Sequence, residues 1–178
     1  MQSSKLLKEL KEITQSLLSR GEAMLEMDQA TLNAKPSPDA WSALECLEHL
    51  NRYGDHYLPA LEKVMEESKL SSEKQYKAGW LGGYFAKSMY PGKQMKGMKT
   101  FSSMNPLGSQ LDHKVVEENI RQQRQTLLML DRAHAHNLNR LRVPTSLSPF
   151  LRLKLGDTFR FFIYHNLRHF EQAERNFL

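Results

Sequence analysis

The sequence predicts an all-α protein, a four-helix bundle with a long connection between its second and third helices. Two observations predict this fold. Apolar residues recur at helical spacing in four long segments, and no segment has the pattern of a credible strand. Amphipathic helices must bury their apolar stripes against one another, and a bundle does so. A chain of 178 residues is long enough for one core. We therefore expect one helical domain over residues 1–178.

The first two predicted helices have clear sequence boundaries. The first covers residues 3–30, and the prolines of the loop "NAKPSPDAW" end it. Ser42 is the predicted N-cap of the second helix, with Glu45 three residues later as the second half of a capping box. We expect the second helix to end near Lys69. The apolar stripe of the first helix consists of Leu6, Leu10, Ile13, Leu17 and Met24.

The second half of the chain contains the long connection and two further helices. Residues 72–88 form a short helix or continue the second one, and "MYPGKQMKGMKTFSSMNPLG" then reads as irregular chain. Long connections of this kind are often functional. The third helix covers residues 112–136, and residues 138–156, with two prolines, are expected to form a crossover. Asp157 is the predicted N-cap of the fourth helix, which continues almost to Leu178.

Composition and charge limit the class of protein. No run of 18 apolar residues is present, so no membrane span is expected. A lone cysteine, Cys46, excludes an internal disulfide framework, and the charged N-terminal helix differs from a signal peptide. These features favour the cytoplasm.

The net charge of +5 is unevenly distributed, since residues 74–111 and 132–156 contain no acid. Such basic segments either attract an anionic partner or form an ordinary solvated surface. The lysines of the first segment are Lys74, Lys77, Lys87, Lys93, Lys96 and Lys99, and the basic residues of the second are Arg132, Arg140, Arg142, Arg152 and Lys154.

Three histidines are candidate metal ligands. His165 and His169 are four residues apart in "FFIYHNLRHFEQAERNF", so both lie on one face of the fourth helix, away from its charged face. His49 lies on the second helix at the border of its charged side. His49 and His165 are each about 10–12 Å from the start of their helices. If the two helices start at the same end of the bundle, the three rings converge. A metal site and a structural, hydrogen-bonded cluster both remain open.

The segments "WSALECLEHL" and "YHNLRHFEQA" resemble the DinB/YfiT-like superfamily. This resemblance implies a four-helix bundle in which the second and fourth helices adjoin. It also implies that His49, His165 and His169 bind a divalent metal ion, often zinc or nickel. Known activities in the family include thiol-dependent S-transferases and isomerases, and homodimers are frequent. Residues 87–107 do not match the family pattern. The matching residues are Trp41, Ser42, His49, Leu50, His165, His169 and Gln172.

Three hypotheses for the function follow, in this order. The first is a metal-dependent enzyme, a hydrolase or thiol S-transferase, that acts on a small-molecule substrate. The second is a non-catalytic helical-bundle binding or scaffold protein of a stress-related kind, with structural histidines. The third is nucleic-acid binding through the basic connections, which requires the lysines of residues 87–99 and the arginines of residues 140–160 to form one continuous patch; within residues 87–107 only Tyr90 and Phe101 supply aromatic rings.

Several other residues are weaker candidates for the site. Cys46, one turn before His49, is a ligand, a nucleophile or a small core residue. His56 is too far along the helix to share the ion, and His113, His134 and His136 are expected near the ends of the third helix. No Ser-His-Asp arrangement, phosphate-binding loop or paired-cysteine motif is present. Candidates to hold the histidine rings are Asn166, Gln172, Tyr53 and Glu48.

Overall fold

A computed structural model describes residues 1–92 and 100–177, except for the side chain of Pro149. These ranges are mostly helical, as predicted, and none of their helices has the length and apolar character needed to cross a membrane. Lys93, Lys96 and Lys99 lie outside the described residues. The elements are α1 (Ser3–Leu25), α2 (Gln29–Asn33), α3 (Ala43–Glu66), α4 (Trp80–Met89), a short 3-10 helix (Ser102–Met104), α5 (Lys114–Ala133), β1 (Arg142–Thr145), β2 (Ser148–Lys154) and α6 (Leu155–Glu174).

The predicted capping box at the start of α3 is confirmed. The Glu45 amide donates to Ser42 Oγ at 3.1 Å, and the Ser42 amide donates to the Glu45 carboxylate at 2.8 Å. The first predicted helix, by contrast, is two helices. Asp28 accepts from the Thr31 amide at 2.9 Å and caps α2, so the chain changes direction after α1.

Ion pairs show that α1 and α5 run antiparallel. Lys11 near the start of α1 contacts Asp131 near the end of α5 at 2.6 Å. Glu22 near the end of α1 contacts Arg124, which lies seven residues earlier than Asp131, at 2.9 Å. The same two helices also bury apolar residues against each other, so these surface pairs report the direction of the packing and contribute little to stability.

The helices α3 and α5 run parallel, which explains the long connection between them. Asn51 accepts from Asn119 at 3.0 Å, and further along both helices Glu62 accepts from Arg132 at 3.0 Å. A 24-residue helix is about 36 Å long, so a chain leaving the end of α3 must travel back that distance before a parallel helix can begin. Residues 67–113 make this return.

The helices α3 and α6 adjoin but run antiparallel. The backbone carbonyl of Trp41, just before α3, accepts a hydrogen bond at 2.9 Å from the side-chain amide of Asn176, just after α6. Later in α3 the Tyr57 ring lies 5.8 Å from Phe162, in the first half of α6. The two helices therefore start at opposite ends, so the condition given for convergence of the three rings, a common starting end, is not met. The histidines meet because His49 is near the start of α3 and His169 is near the end of α6.

The prediction of no credible strand is also wrong. Residues 142–145 and 148–154 form an antiparallel hairpin in which Val143 pairs with Leu153 and Pro144 with Arg152. Val143 and Leu153 are buried, and their neighbours in sequence point outward. The two prolines of this segment indicated a crossover without strands. A two-stranded hairpin accommodates proline because each strand has a free edge.

Asp157 does not cap α6, contrary to the prediction. The helix begins two residues earlier, where the Leu155 amide donates to the Leu141 carbonyl at 3.0 Å. The buried Asp157 carboxylate instead accepts from the Tyr76 hydroxyl and from the Gly79 amide. A side chain at Gly82 would place its Cβ 2.5 Å from Asp157 Cβ, so glycine lets α4 approach α6 closely.

We expect Tyr76→Phe to destabilise the fold by about 1–3 kcal/mol, because the Asp157 carboxylate is only 1% exposed and would lose a hydrogen-bond donor. Urea unfolding measures the difference in the free energy of unfolding between the variant and the wild type, and the dependence of that free energy on urea concentration should be unchanged. The control is Tyr84→Phe, at a residue 65% exposed, with an expected change below about 0.5 kcal/mol. Equal stability of the two variants would contradict the assigned role of Tyr76.

Candidate metal centre

The structure brings His49 of α3 together with His165 and His169 of α6, as predicted. One ring nitrogen from each histidine lies within 4.8 Å of the other two. His49 Nε2 and His165 Nε2 are 3.2 Å apart. Two nitrogens bound to one tetrahedral zinc ion are about 3.3 Å apart, given bonds of about 2.05 Å. The spacing of the rings therefore fits a single divalent ion.

Hydrogen bonds orient two of the three rings for metal binding. His49 Nδ1 lies 2.6 Å from the Met104 carbonyl oxygen, which can only accept, so Nδ1 carries the proton. His169 Nδ1 lies 2.9 Å from Gln172 Oε1 and donates to it in the same way. In the neutral tautomers that result, the Nε2 lone pairs of His49 and His169 are available as ligands.

His165 is held by packing rather than by a hydrogen bond to its outer nitrogen. Its Nδ1 is buried without a hydrogen-bond partner among the described residues. The ring stacks on Phe161, with ring centres 5.8 Å apart, and the Tyr53 ring lies 4.6 Å away on an edge. Its Nε2 is thus directed at His49 by the shape of its aromatic surroundings.

Burial keeps all three imidazoles neutral near pH 7. Their exposed fractions are 2% for His49, 5% for His165 and 9% for His169. Loss of water around the ring lowers the pKa of His49 to about 4 and that of His169 to about 3, and the nearby histidines and arginines act in the same direction. Burial lowers the pKa of His165 well below its ordinary value. Neutral imidazole is the form that binds metal, so no proton has to leave first.

Aromatic side chains enclose the three histidines. The Trp41 ring is 4.7 Å from the His49 ring and 5.7 Å from the His169 ring. The Tyr53 ring lies 4.9 Å from the His49 ring. These walls limit access of water and raise the strength of any electrostatic interaction inside the site.

The last part of the connection between α3 and α5, around its 3-10 helix, contacts the site. Its 3-10 helix supplies the Met104 carbonyl to His49, and its Ser103 and Asn105 carbonyls accept from the Arg52 guanidinium. Met104 was not predicted as a site residue, because it contacts His49 through its backbone carbonyl, a group that every residue has. The last part of the connection, residues 100–108, therefore contacts α3 at His49, Arg52 and Glu45.

A chain of buried side-chain amides lies next to the histidines and joins three helices. Asn119 donates to Asn51 at 3.0 Å, and Gln123 donates to Asn119 at 3.4 Å and to Asn166 at 2.7 Å. Asn166 is adjacent to His165 in sequence, and Asn51 is two residues after His49. This amide chain links α3 to α6 through α5 at the level of the candidate site.

The predicted supporting residues have different roles in the structure. Gln172 holds His169, and Tyr53 packs against two of the rings. Asn166 belongs to the amide chain, and Glu48 accepts from Arg52 at 2.8 Å.

The other histidines lie outside the candidate site; they are His56, His113, His134 and His136.

Cys46 has no place in this site. Its side chain is 0% exposed within an apolar cluster, and it is not among the grouped ligands of the described residues. Burial and the neighbouring Glu45 raise the pKa of its thiol to about 12. A thiol with that pKa is protonated at neutral pH and is a poor nucleophile. The structure favours the small core residue among the three readings of Cys46.

The fold and the site define a class: a mostly helical protein with a buried three-histidine cluster that could hold a metal ion. Residues 9–173 match the family model of the DinB superfamily, and the chain belongs to that superfamily. Comparisons with curated proteins and with solved structures give no match. Family membership confirms the resemblance seen in the two sequence segments.

We expect the Cys46 thiol to resist modification by Ellman's reagent in the native protein at pH 8 and to react fully in 6 M guanidinium chloride. The reason is its burial, which blocks access and keeps the thiol protonated. Absorbance of the released thionitrobenzoate measures the reaction. Full native labelling within seconds would restore Cys46 as a candidate nucleophile.

Proposed function

We propose that this protein is a metal-dependent enzyme of the DinB superfamily, of the hydrolase or thiol S-transferase type. His49, His165 and His169 are its proposed ligands for a divalent ion, zinc or nickel first. The observation that carries the proposal is the meeting of three neutral, buried ring nitrogens within 4.8 Å of one another.

Three protein ligands leave a coordination position open, whereas structural zinc sites usually have four. A divalent ion held there would lower the pKa of a water or thiol that it binds and so supply a nucleophile near neutral pH. The protein orients the histidine rings and keeps bulk water out of the site. Met104 and Gln172 hold two rings by their Nδ1 protons, and Trp41 and Tyr53 exclude bulk water.

One observation favours a second candidate, a non-catalytic helical-bundle binding or scaffold protein. His49 Nε2 and His165 Nε2 are 3.2 Å apart, which is also a hydrogen-bond distance. The cluster can therefore be satisfied in part without a metal ion, with His165 donating to His49. In that case the histidines would serve the packing of α3 against α6.

The proposal also covers the fold, the oligomeric state, the cellular location and the partner of the protein. We interpret the mutual packing of α1, α3, α5 and α6 as a four-helix bundle that forms one domain over residues 1–178. The family resemblance supports a homodimer, and the single buried cysteine is compatible with the reducing cytoplasm. The proposed partner is a small-molecule substrate, with a low-molecular-weight thiol as the first candidate.

We expect untagged protein to contain one divalent ion per chain and His169→Ala to lose most of it, because two ligands hold a metal far more weakly than three. Elemental analysis after gel filtration measures the content. The matched control is His134→Ala, at an exposed histidine outside the site, which should retain the ion. Equal metal content in the wild type and His169→Ala, both folded by circular dichroism, would contradict the site.

An open coordination position predicts a response to thiols. We expect protein loaded with cobalt(II) to develop a near-ultraviolet thiolate-to-cobalt absorption band when 2-mercaptoethanol is added, because the thiol can occupy the position that the protein leaves free. Free cobalt(II) at the same thiol concentration is the control. A loaded protein whose spectrum does not change would favour a closed, structural site and the scaffold alternative.

A further inference from the structure

Three aromatic rings lie exposed on two elements that contact each other, α4 and the hairpin strand β2. The exposed fractions are 89% for Trp80, 65% for Tyr84 and 94% for Phe150. Trp80 and Tyr84 are four residues apart on α4, and Phe150 is on β2, which contacts α4. Large aromatic side chains are seldom left this exposed without a partner.

The outward face of the hairpin is cationic. Side chains alternate across a strand, so Phe150, Arg152 and Lys154 share the face opposite the buried Leu153. Arg142 pairs directly with Lys154 on the neighbouring strand. Like charges in opposed positions destabilise a hairpin. Among residues 1–92 and 100–177, no carboxylate lies within ion-pair distance of these three cations.

The helix α4 continues this face. Trp80, Tyr84 and Lys87 are at positions i, i+4 and i+7 and form one outward stripe, while Gly82 and Ala86 on the other side are buried. The Lys154 ammonium donates to the Lys77 carbonyl just before α4 at 2.7 Å. This bond joins the end of β2 to the approach to α4.

We call this surface the aromatic–cationic face. Its two parts, α4 and the hairpin, are some 60 residues apart in the sequence. The α4 part supplies two rings and one cation, and the hairpin part supplies one ring and three cations. The contact between α4 and β2 and the bond from Lys154 to the Lys77 carbonyl bring the two parts together. The face consists of Trp80, Tyr84, Lys87, Arg142, Phe150, Arg152 and Lys154.

We propose that the aromatic–cationic face binds single-stranded nucleic acid. Charge complementarity requires an anionic partner, and a second copy of this face would repel the first. Rings and cations are interleaved on both elements, as Phe150 with Arg152 on β2 and Tyr84 with Lys87 on α4. A single strand can stack its bases on exposed rings while its phosphates contact the adjacent cations, and this arrangement supplies both. A lipid-inserting surface would instead collect its apolar side chains in one patch.

The test is fluorescence anisotropy of a labelled 20-nucleotide oligo-dT with the full chain at 50 mM salt. Lys154 donates to the Lys77 carbonyl, so three cations remain for phosphates: Lys87, Arg142 and Arg152. Three phosphate contacts predict a log–log salt slope of about −2, so affinity should fall about 20-fold between 50 and 200 mM salt. Trp80→Ala and Phe150→Ala should each weaken binding about tenfold. The double variant Arg142→Gln with Arg152→Gln should reduce the slope by about 1.4.

Matched controls separate this face from general charge and from the metal centre. Lys69→Gln with Lys114→Gln removes two exposed cations elsewhere, and Leu128→Ala removes an exposed apolar side chain of α5; both should bind as the wild type does. Absence of binding at 50 mM salt, or equal losses in the control variants, would overturn the proposal. Binding only to phosphatidylserine vesicles, weakened by the same variants, would overturn it in favour of a membrane surface. Metal content should be unchanged in every variant.

Discussion

The position of α3 relative to α6 depends on the buried amide chain that crosses α5. The members of this chain are between 1% and 4% exposed, and each buried polar group left without a partner costs about 1–3 kcal/mol. Sliding one helix along another would break these bonds together. Because Asn51 and Asn166 are so close to His49 and His165 in sequence, the same bonds fix where the imidazoles meet. The apolar contacts around them supply stability, but they specify register less strictly.

Burial determines the chemistry of the histidine cluster. An imidazole in water titrates near pH 6.5, but these rings are enclosed by Trp41, Tyr53 and Phe161 and remain neutral well below that. The same enclosure that disfavours the imidazolium form leaves lone pairs available to a cation. Two Nδ1 protons are occupied by oxygen acceptors, so the tautomers expose Nε2 toward the centre. Structure and protonation state therefore support the same proposal.

The parallel packing of α3 and α5 has consequences far from those helices. It requires a long return of the chain, and this return carries both the Met104 carbonyl and the helix α4. The first completes the surroundings of His49, and the second packs on α6 beside the hairpin. Different parts of the connection thus contribute Met104 to the surroundings of the candidate metal centre and the stripe of α4 to the aromatic–cationic face.

The sequence by itself determined the four long helices, though not the break between α1 and α2 or the start of α6; it also determined the capping box of Ser42 and Glu45 and the placement of His165 and His169 on one face. These features follow from local spacing, since the helical period and cap hydrogen bonds involve residues three or four apart. Only the tertiary structure decided the antiparallel course of α6 relative to α3, the hairpin at Pro144 and the contact of the Met104 carbonyl with His49. Each depends on contacts between segments far apart in the chain, and local spacing contains no information about which distant segments meet.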